Sequence, residues 1–345
     1  CPDATLLSAA NNSTLAERML LQSSTMQTSV SIVDVTAGRR PVAADLTNDI
    51  TAFRENIGTN GLDYGAAYYP FLITSVMQPG EIDYTNFFGG NFGTLAAILN
   101  PPLVSNPAVA AVIATIENPA TPASAEAKNN EALLAASPTY QQITQLIFNE
   151  LNTLPPSAAM AGIITIADNQ GGPWQAPANM SPIAVTALTI NLTDTQQGFL
   201  NDDPVSGKSI DAFRFFNGQG ILVWGARTLD GNSNDWKYLP TRRTAIYIEQ
   251  SCKLALNQYV FEANDQNTWQ AVISSVSSFL NSLWQQGGLQ GAKPADAYVV
   301  ACGLGSTMTA QDLLEGLMIV SVQVAIVHPA EFIVLTFQQQ MATSG

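Results

Sequence analysis

The chain has 345 residues, of which 46% are hydrophobic and only 12% charged, and its formal net charge is −14. This length and apolar content suit one large folded domain or two ordinary ones and exclude an intrinsically disordered chain. So strong an excess of acid repels phosphate backbones, which excludes nucleic acid as an expected partner.

The start of the chain shows no basic n-region and no long apolar h-region, so no signal peptide is read there. Opening at Cys1-Pro2, it reads as a fragment. Residues 15–27 read as a helix introduced by Ser13 or Thr14, and 30–35 as a short buried strand. Over 45–57, Leu46, Ile50, Phe53 and Ile57 recur at helical spacing, with Gly58 as the stop. Residues 64–74 are strand-like again. Alternation at this pace predicts βαβ units around a mostly parallel sheet. Residues 80–135, with Pro101, Pro102, Pro107, Pro119 and Pro122 among Ala, Asn and Ser, read as an elaborated surface segment or long connection. Helices are expected over 137–151 and 157–166, and a rigid loop carrying Trp174 over 171–179. Strands are expected over 183–190, 213–216 and 220–227.

The style changes after Asp230-Gly231-Asn232-Ser233-Asn234, where a boundary is placed between units 1–232 and 233–345. Residues 243–260 form a helix with Ala245, Ile248, Cys252, Ala255 and Tyr259 on one face. Asn264 or Asp265 caps the next, whose stripe of Trp269, Val272, Ile273, Val276, Phe279, Leu280 and Leu283 reads as core. Gly287-Gly288 ends it. Strands over 297–302, 318–327 and 331–339 complete an α+β unit of two helices on a small sheet. The most apolar stretch, 317–327, includes Ser321 and Gln323 and is too short to span a bilayer.

The residue types needed for covalent chemistry are sparse. A Ser-His-Asp arrangement needs an imidazole base, and the single histidine, His328, precedes Pro329 in a turn. Cys1, Cys252 and Cys302 form no short-spaced pair, so neither a disulfide framework nor a zinc set is expected. Cys252, on an apolar helix face, reads as a buried structural thiol. The glycines of 58–61 and 89–93 lack the lysine of a phosphate loop and read as turns. Adjacent Asp202 and Asp203 read as solvated turn residues. No catalytic residue, metal site or cofactor is assigned.

Several blocks in order resemble one family. Phe53-Arg54 and Ile57-Gly58 lead to Tyr64-Gly65-Ala66-Ala67-Tyr68-Tyr69-Pro70. Trp174 to Asn179 spells W-x-A-P-A-N. Val223-Trp224-Gly225-Ala226-Arg227-Thr228-Leu229 precedes Trp236-Lys237-Tyr238. Arg242-Arg243 with Tyr247-Ile248-Glu249 comes before Val260-Phe261-Glu262, Asn264-Asp265 and Trp269. Last are Leu283-Trp284, Gly288-Leu289-Gln290-Gly291 and Pro329-Ala330-Glu331-Phe332-Ile333. Their order and spacing resemble the tail sheath proteins of contractile phages, R-type pyocins and extracellular contractile injection systems, over about 50–80 and nearly all of 155–345. The family's N-terminal stretch, an arm that reaches a neighbouring subunit, has no counterpart here, and about 80–135 matches nothing placeable.

The resemblance implies a non-catalytic, subtilisin-like α/β sheath domain followed by a smaller α+β C-terminal sheath domain. It implies a structural subunit that assembles as hexameric rings around an inner tube and contracts to drive the tube through a target envelope. Further copies, the tube protein, and baseplate and cap or terminator proteins are the expected partners; nucleic acid and membrane insertion are not. Assembly in a bacterial cytoplasm, as part of a phage virion or a released tail-like particle, is implied too. The alternatives are a cryptic α/β hydrolase-like enzyme and a non-contractile surface or capsid-like protein. Trp174, Trp224, Arg227, Trp269 and Trp284 are expected to be structural anchors, with Trp174 and Trp224 holding the core of the first unit. Glu331, Phe332, Ile333, Val334, Leu335 and Phe337 form a β-prone, nearly uncharged run, expected to join or border an intersubunit sheet.

Overall fold

Ser8, at the end of an irregular N-terminal turn, accepts a hydrogen bond from the amide of Asn11 and starts helix α1 (Ala9–Met26). The helix therefore begins well before residue 15. The expected caps Ser13 and Thr14 lie inside it, donating back to the carbonyls of Ala9 and Ala10. The computed structural model in which this is seen describes residues 1–331. Strand β1 (Ser31–Asp34), helix α2 (Leu46–Asn56) and strand β2 (Gly65–Tyr69) follow, with β1 and β2 parallel. The single strand expected over 64–74 is divided. Pro70 has no N–H to give to a ladder, and beyond it β3 (Leu72–Thr74) pairs in a different sheet.

The segment expected to be a loose connection is a helical module. It contains α3 (Phe92–Leu99), α4 (Pro107–Glu117), α5 (Glu126–Ala136) and α6 (Pro138–Leu151), packed on a core that includes Phe87, Leu95, Leu99, Val109, Leu133 and Tyr140. Pro107 and Pro138 occupy first-turn positions after the caps Asn106 and Ser137, where a missing N–H costs nothing; they start helices. The module returns beside its point of departure. Asn152 accepts from the amide of Met77 at 2.9 Å and donates to its carbonyl at 3.2 Å, and β4 (Thr153–Leu154) pairs with β3.

Helix α7 (Pro156–Gly171), strand β5 (Val185–Leu188), helix α8 (Asp194–Asn201) and the hairpin β6 (Asp211–Phe216)–β7 (Gly220–Trp224) complete the first unit. The main sheet runs β1-β2-β6-β7, parallel through β6, with β7 antiparallel at the edge. The smaller sheet, β4-β3-β5, is antiparallel. Every residue of β2 is buried: Ala67 and Tyr69 face a core with Leu20, Ile50 and Leu200, while Ala66 and Tyr68 face one with Met160, Ile163 and Phe213. Two covered faces are what an α/β layer arrangement requires of a central strand.

The C-terminal part is built from α9 (Leu239–Leu256), α10 (Gln266–Gln285), the short α11 (Pro294–Ala297), β8 (Tyr298–Cys302), α12 (Ala310–Leu314) and β9 (Val320–Val324). Helix α9 starts four residues earlier than expected, at a turn containing Pro240, and ends in a 3-10 turn before Val260. Asp265 caps α10 through its carboxylate. The stripe on α10 packs with Ile248 and Cys252 of α9 against the β8–β9 pair. Of the expected terminal strand only Glu331 lies within the described residues; Phe332, Ile333, Val334, Leu335 and Phe337 lie outside them.

Candidate functional site

The residues first considered for chemistry are dispersed. His328 is exposed and sits edge-on to Tyr238, ring centroids 6.1 Å apart. Cys252 and Cys302 are buried, and burial raises both thiols above their ordinary range, toward the inert protonated form. Among the described residues no group of three or more His, Cys, Asp or Glu could hold a metal, and no helix is long and apolar enough to cross a membrane.

What the fold does bring together is a row of arginines, each spent on a partner in another part of the chain. The turn after β7 places the first. Gly225 lies so close to Asp211 that a Cβ there would run into the carboxylate, and this approach lets the amide of Arg227 donate to Asp211 Oδ1 at 3.0 Å. The Arg227 guanidinium, 7% exposed, grips both oxygens of Glu331: Nε at 2.9 and 3.1 Å, Nη2 at 2.8 Å. Asn201, at the end of α8, donates to the same carboxylate at 2.8 Å and the Tyr238 hydroxyl at 3.2 Å. Forked, charge-assisted bonds of this kind are the strong and directional ones. Burial pulls the Glu331 carboxyl upward, but the bonds from Arg227 and Asn201 outweigh it and hold the group below its ordinary range. Asp211, behind the arginine and fully buried, is pushed up to about 8 by desolvation.

Arg242 on α9 stacks between two rings, 3.5 Å from the Trp236 centroid and 4.2 Å from that of Tyr64. It also pairs with Asp63 and donates to the Tyr64 hydroxyl at 3.2 Å. Arg243 forks onto Asp168 at the end of α7, with Nη1 2.8 Å from Oδ1. Arg54 on α2 donates to the carbonyls of Lys208, Phe199 and Leu200 and lies 3.5 Å from Asp203. Asp203 is therefore not the solvated residue expected: it is 7% exposed and also caps the turn at Val205 and Ser206.

The tryptophans divide. Trp174 packs with Leu283 and Ile248 in the helix α9–α10 cluster, so it anchors the C-terminal part and not the core of the first unit. Trp224 is 38% exposed, resting on Phe216 with centroids 4.5 Å apart, and anchors no core. It is the last residue of an edge strand, past the buried Leu222 and Val223. Trp269 donates to Asn264 Oδ1 at 2.7 Å and Trp284 to the Gly291 carbonyl at 2.9 Å, each fixing a loop beside α10. Arg227, by contrast, sits at the centre of the polar cluster. The sequence pattern does not reveal that cluster; its one signal is that Arg227, Tyr238 and Glu331 stand in the quoted blocks, whereas Asn201 and Asp211 do not.

A second feature lies on the C-terminal part. Among the described residues β9 pairs with one strand, β8, so the other edge of Val320–Val324 has no partner strand. Beside it runs a groove of about 1020 Å³ between α9 and the sheet, lined by Ile248, Cys252, Leu256, Val320, Val322 and Val324. An unpaired edge next to uncovered aliphatic surface is a template for strand addition.

The description "phage tail sheath C-terminal domain" fits residues 232–340. The tail sheath protein of Vibrio phage KVP40 is 23% identical over 143 residues, 41% of this chain and 21% of that protein. Among solved structures, the contracted sheath complex of the extracellular contractile injection system PVC aligns with 90% of this chain and 63% of its own, at 29% identity and a TM-score of 0.61. The 6-fold symmetrised baseplate of the anti-feeding prophage AFP aligns with 55% of this chain and 51% of its own, at 42% identity and a TM-score of 0.51. The contracted AFP helical sheath gives 41% identity over the same shares, also at 0.51. The chain spans about a fifth of the phage protein it matches and between half and two thirds of the solved chains. Residues 232–340 thus match the phage tail sheath C-terminal domain, and the chain as a whole, in its mixed α/β architecture, is similar to the sheath subunits of contractile injection systems.

Proposed function

We propose that the chain is a structural subunit of a contractile sheath, one that stacks in hexameric rings around an inner tube and shortens to drive the tube through a target envelope. The observation that carries this reading is the edge of β9 that no strand among the described residues covers, beside an apolar groove, in a chain that aligns with a contracted sheath over 90% of its length. A strand from a neighbouring copy would satisfy the outward N–H and C=O groups of β9 and cover the groove. Main-chain bonds of that kind tolerate turning of the attached bodies, which a lattice that changes length requires. Glu331, Phe332, Ile333, Val334, Leu335 and Phe337 are assigned to, or beside, such an intersubunit sheet.

The reading extends to a subtilisin-like topology for unit 1–232, used without catalysis, and to an α+β C-terminal unit 233–345. Its partners are further copies and a baseplate, as the AFP likenesses suggest, together with a tube protein and a cap or terminator. Assembly takes place in a bacterial cytoplasm, within a virion or a released tail-like particle.

The test is electron microscopy of the full-length protein co-expressed with its tube partner, alongside a variant ending at Ala330. Helical tubes from the first and none from the second are expected. Discrete particles without helical order from the full-length protein would overturn the reading.

A further inference from the structure

From the end of β9 the chain runs as a strap across both parts of the molecule. Ala325 donates to the carbonyl of Ala297 at 2.8 Å and accepts from Gln290 at 2.7 Å, still beside the hairpin. Val327 then accepts from the Thr241 hydroxyl on α9 at 3.4 Å, and His328 stands against Tyr238. At Glu331 the strap ends in the dock of Arg227, Asn201 and Tyr238. The point from which residues 332–345 depart is thus fixed to the α/β part, although the strand before it belongs to the β8–β9 hairpin.

Two routes for a mechanical load follow from this arrangement. Without the dock, a pull arriving through residues beyond 331 would load only the strap's few neutral bonds, those of Val327 to Gly288 and Thr241 and of Ala325 to Gln290 and Ala297, and then Val324, the last residue of β9. An antiparallel pair loaded at one end opens bond by bond, so β9 would peel from β8. With the dock, the pull meets the Glu331 carboxylate first. Arg227 is itself held from behind, its Nη1 donating to the Asn201 carbonyl at 2.8 Å and its amide to Asp211 Oδ1. Asp211 begins β6, whose neighbours are β2 and β7, so the load enters the main sheet. Several charge-assisted bonds on one buried pair must then fail together.

We propose that the Glu331 dock diverts tension arriving through the C-terminal residues into the α/β part and so shields the β8–β9 hairpin from peeling. The source of that tension, a neighbouring copy, rests on the sheath reading; the diversion itself is a property of one chain.

The test is single-molecule pulling of the full chain between the exposed Cys1 thiol and Gly345. In the wild type the first event is expected to be failure of the dock, with the hairpin silent below that force. In Glu331→Gln an earlier step should appear, its contour gain up to about 40 Å for residues 320–331, and its lifetime at a given force shorter by about tenfold or more. Tyr238→Phe, which removes one donor and leaves the arginine fork, should fall between the two. Amide exchange in β6 and β7 confirms that each variant is folded, and should be unchanged while exchange across 325–331 rises. Force traces of Glu331→Gln indistinguishable from wild type would overturn the proposal, as would peeling of β9 first in the wild type. A wild type that forms no tubes would sink the sheath reading and leave these traces as they are.

Discussion

The Trp174 ring covers Gly288 so closely that a Cβ at position 288 would stand 2.8 Å from Trp174 Cε3. The loop after α7 and the end of α10 are thereby locked together through one aromatic and one residue without a side chain. Gly288→Ala is expected to cost about 1–3 kcal/mol, the usual penalty for overfilling a packed contact. Trp174→Ala should cost about 2–4 kcal/mol, less than a fully buried tryptophan because the ring is half-buried. Trp224→Ala, at an exposed edge, should stay within about 0.5 kcal/mol. Denaturant midpoints check all three, and amide exchange should place the Trp174 effect in α10.

Arg242 gives a prediction on geometry at constant charge. Its guanidinium is stacked on Trp236 and Tyr64 while pairing with Asp63, and an ammonium group can reproduce the pairing but not the stacking. Arg242→Lys is therefore expected to destabilise by about 1–2 kcal/mol, and Trp236→Leu in the same background to add little further. A double-mutant cycle measures the coupling; additive effects would show that the stack contributes nothing.

Two buried carboxyls predict a pH dependence. Desolvation raises Asp211 to about 8 and Asp34 to about 6, although Asp34 also accepts from the amide of Ser157 at 2.8 Å. Each binds its proton more tightly folded than unfolded, so its contribution is complete below the unfolded value near 3.8 and is lost as pH rises through the folded one. Asp34 acts between about pH 4 and 6, and Asp211 up to about 8. Stability should fall by about 2 kcal/mol from pH 6 to 8. Asp211→Asn should flatten the fall over that interval and leave the decline below pH 6. Thermal melts across a buffer series would show it.

The helical module lends itself to excision. Met77 and Asn152 are already joined by hydrogen bonds, so a short Gly/Ser bridge replacing 79–150 spans almost no distance. The remaining chain is expected to fold with a loss of about 1–2 kcal/mol, since the pairs of Arg39 and Arg40 with Glu150 that it forfeits are partly open to solvent. Circular dichroism should lose helix while the cooperative transition persists.

The elements legible from residue pattern are those whose periodicity is set by one neighbour. The stripe from Val272 to Leu283 and the Asp265 cap are of this kind. Proline misled in the helical module because its meaning depends on position: the same residue breaks a helix from within and opens one at its first turn. Trp224 was misjudged because an apolar neighbourhood in sequence does not say which face of an edge strand is covered. The β-prone run that starts at Glu331 points to an intersubunit strand and not to a dock, since the pocket that receives Glu331 is assembled from residues near 201, 227 and 238. Those positions come together only after the main sheet has formed.

The arginine row leaves a mark on the molecule's exterior. Arg54, Arg214, Arg227, Arg242 and Arg243 each neutralise a carboxylate of their own chain, and the formal balance is still −14. Apart from the buried Asp34 and Asp211, the acids left over reach the surface with few cations between them, so bringing copies side by side concentrates like charge. Mobile counterions weaken such repulsion over about 10 Å at 0.1 M salt. A stack of these subunits is therefore a polyelectrolyte column whose length should grow with ionic strength, and dilution into salt-free buffer should shorten it.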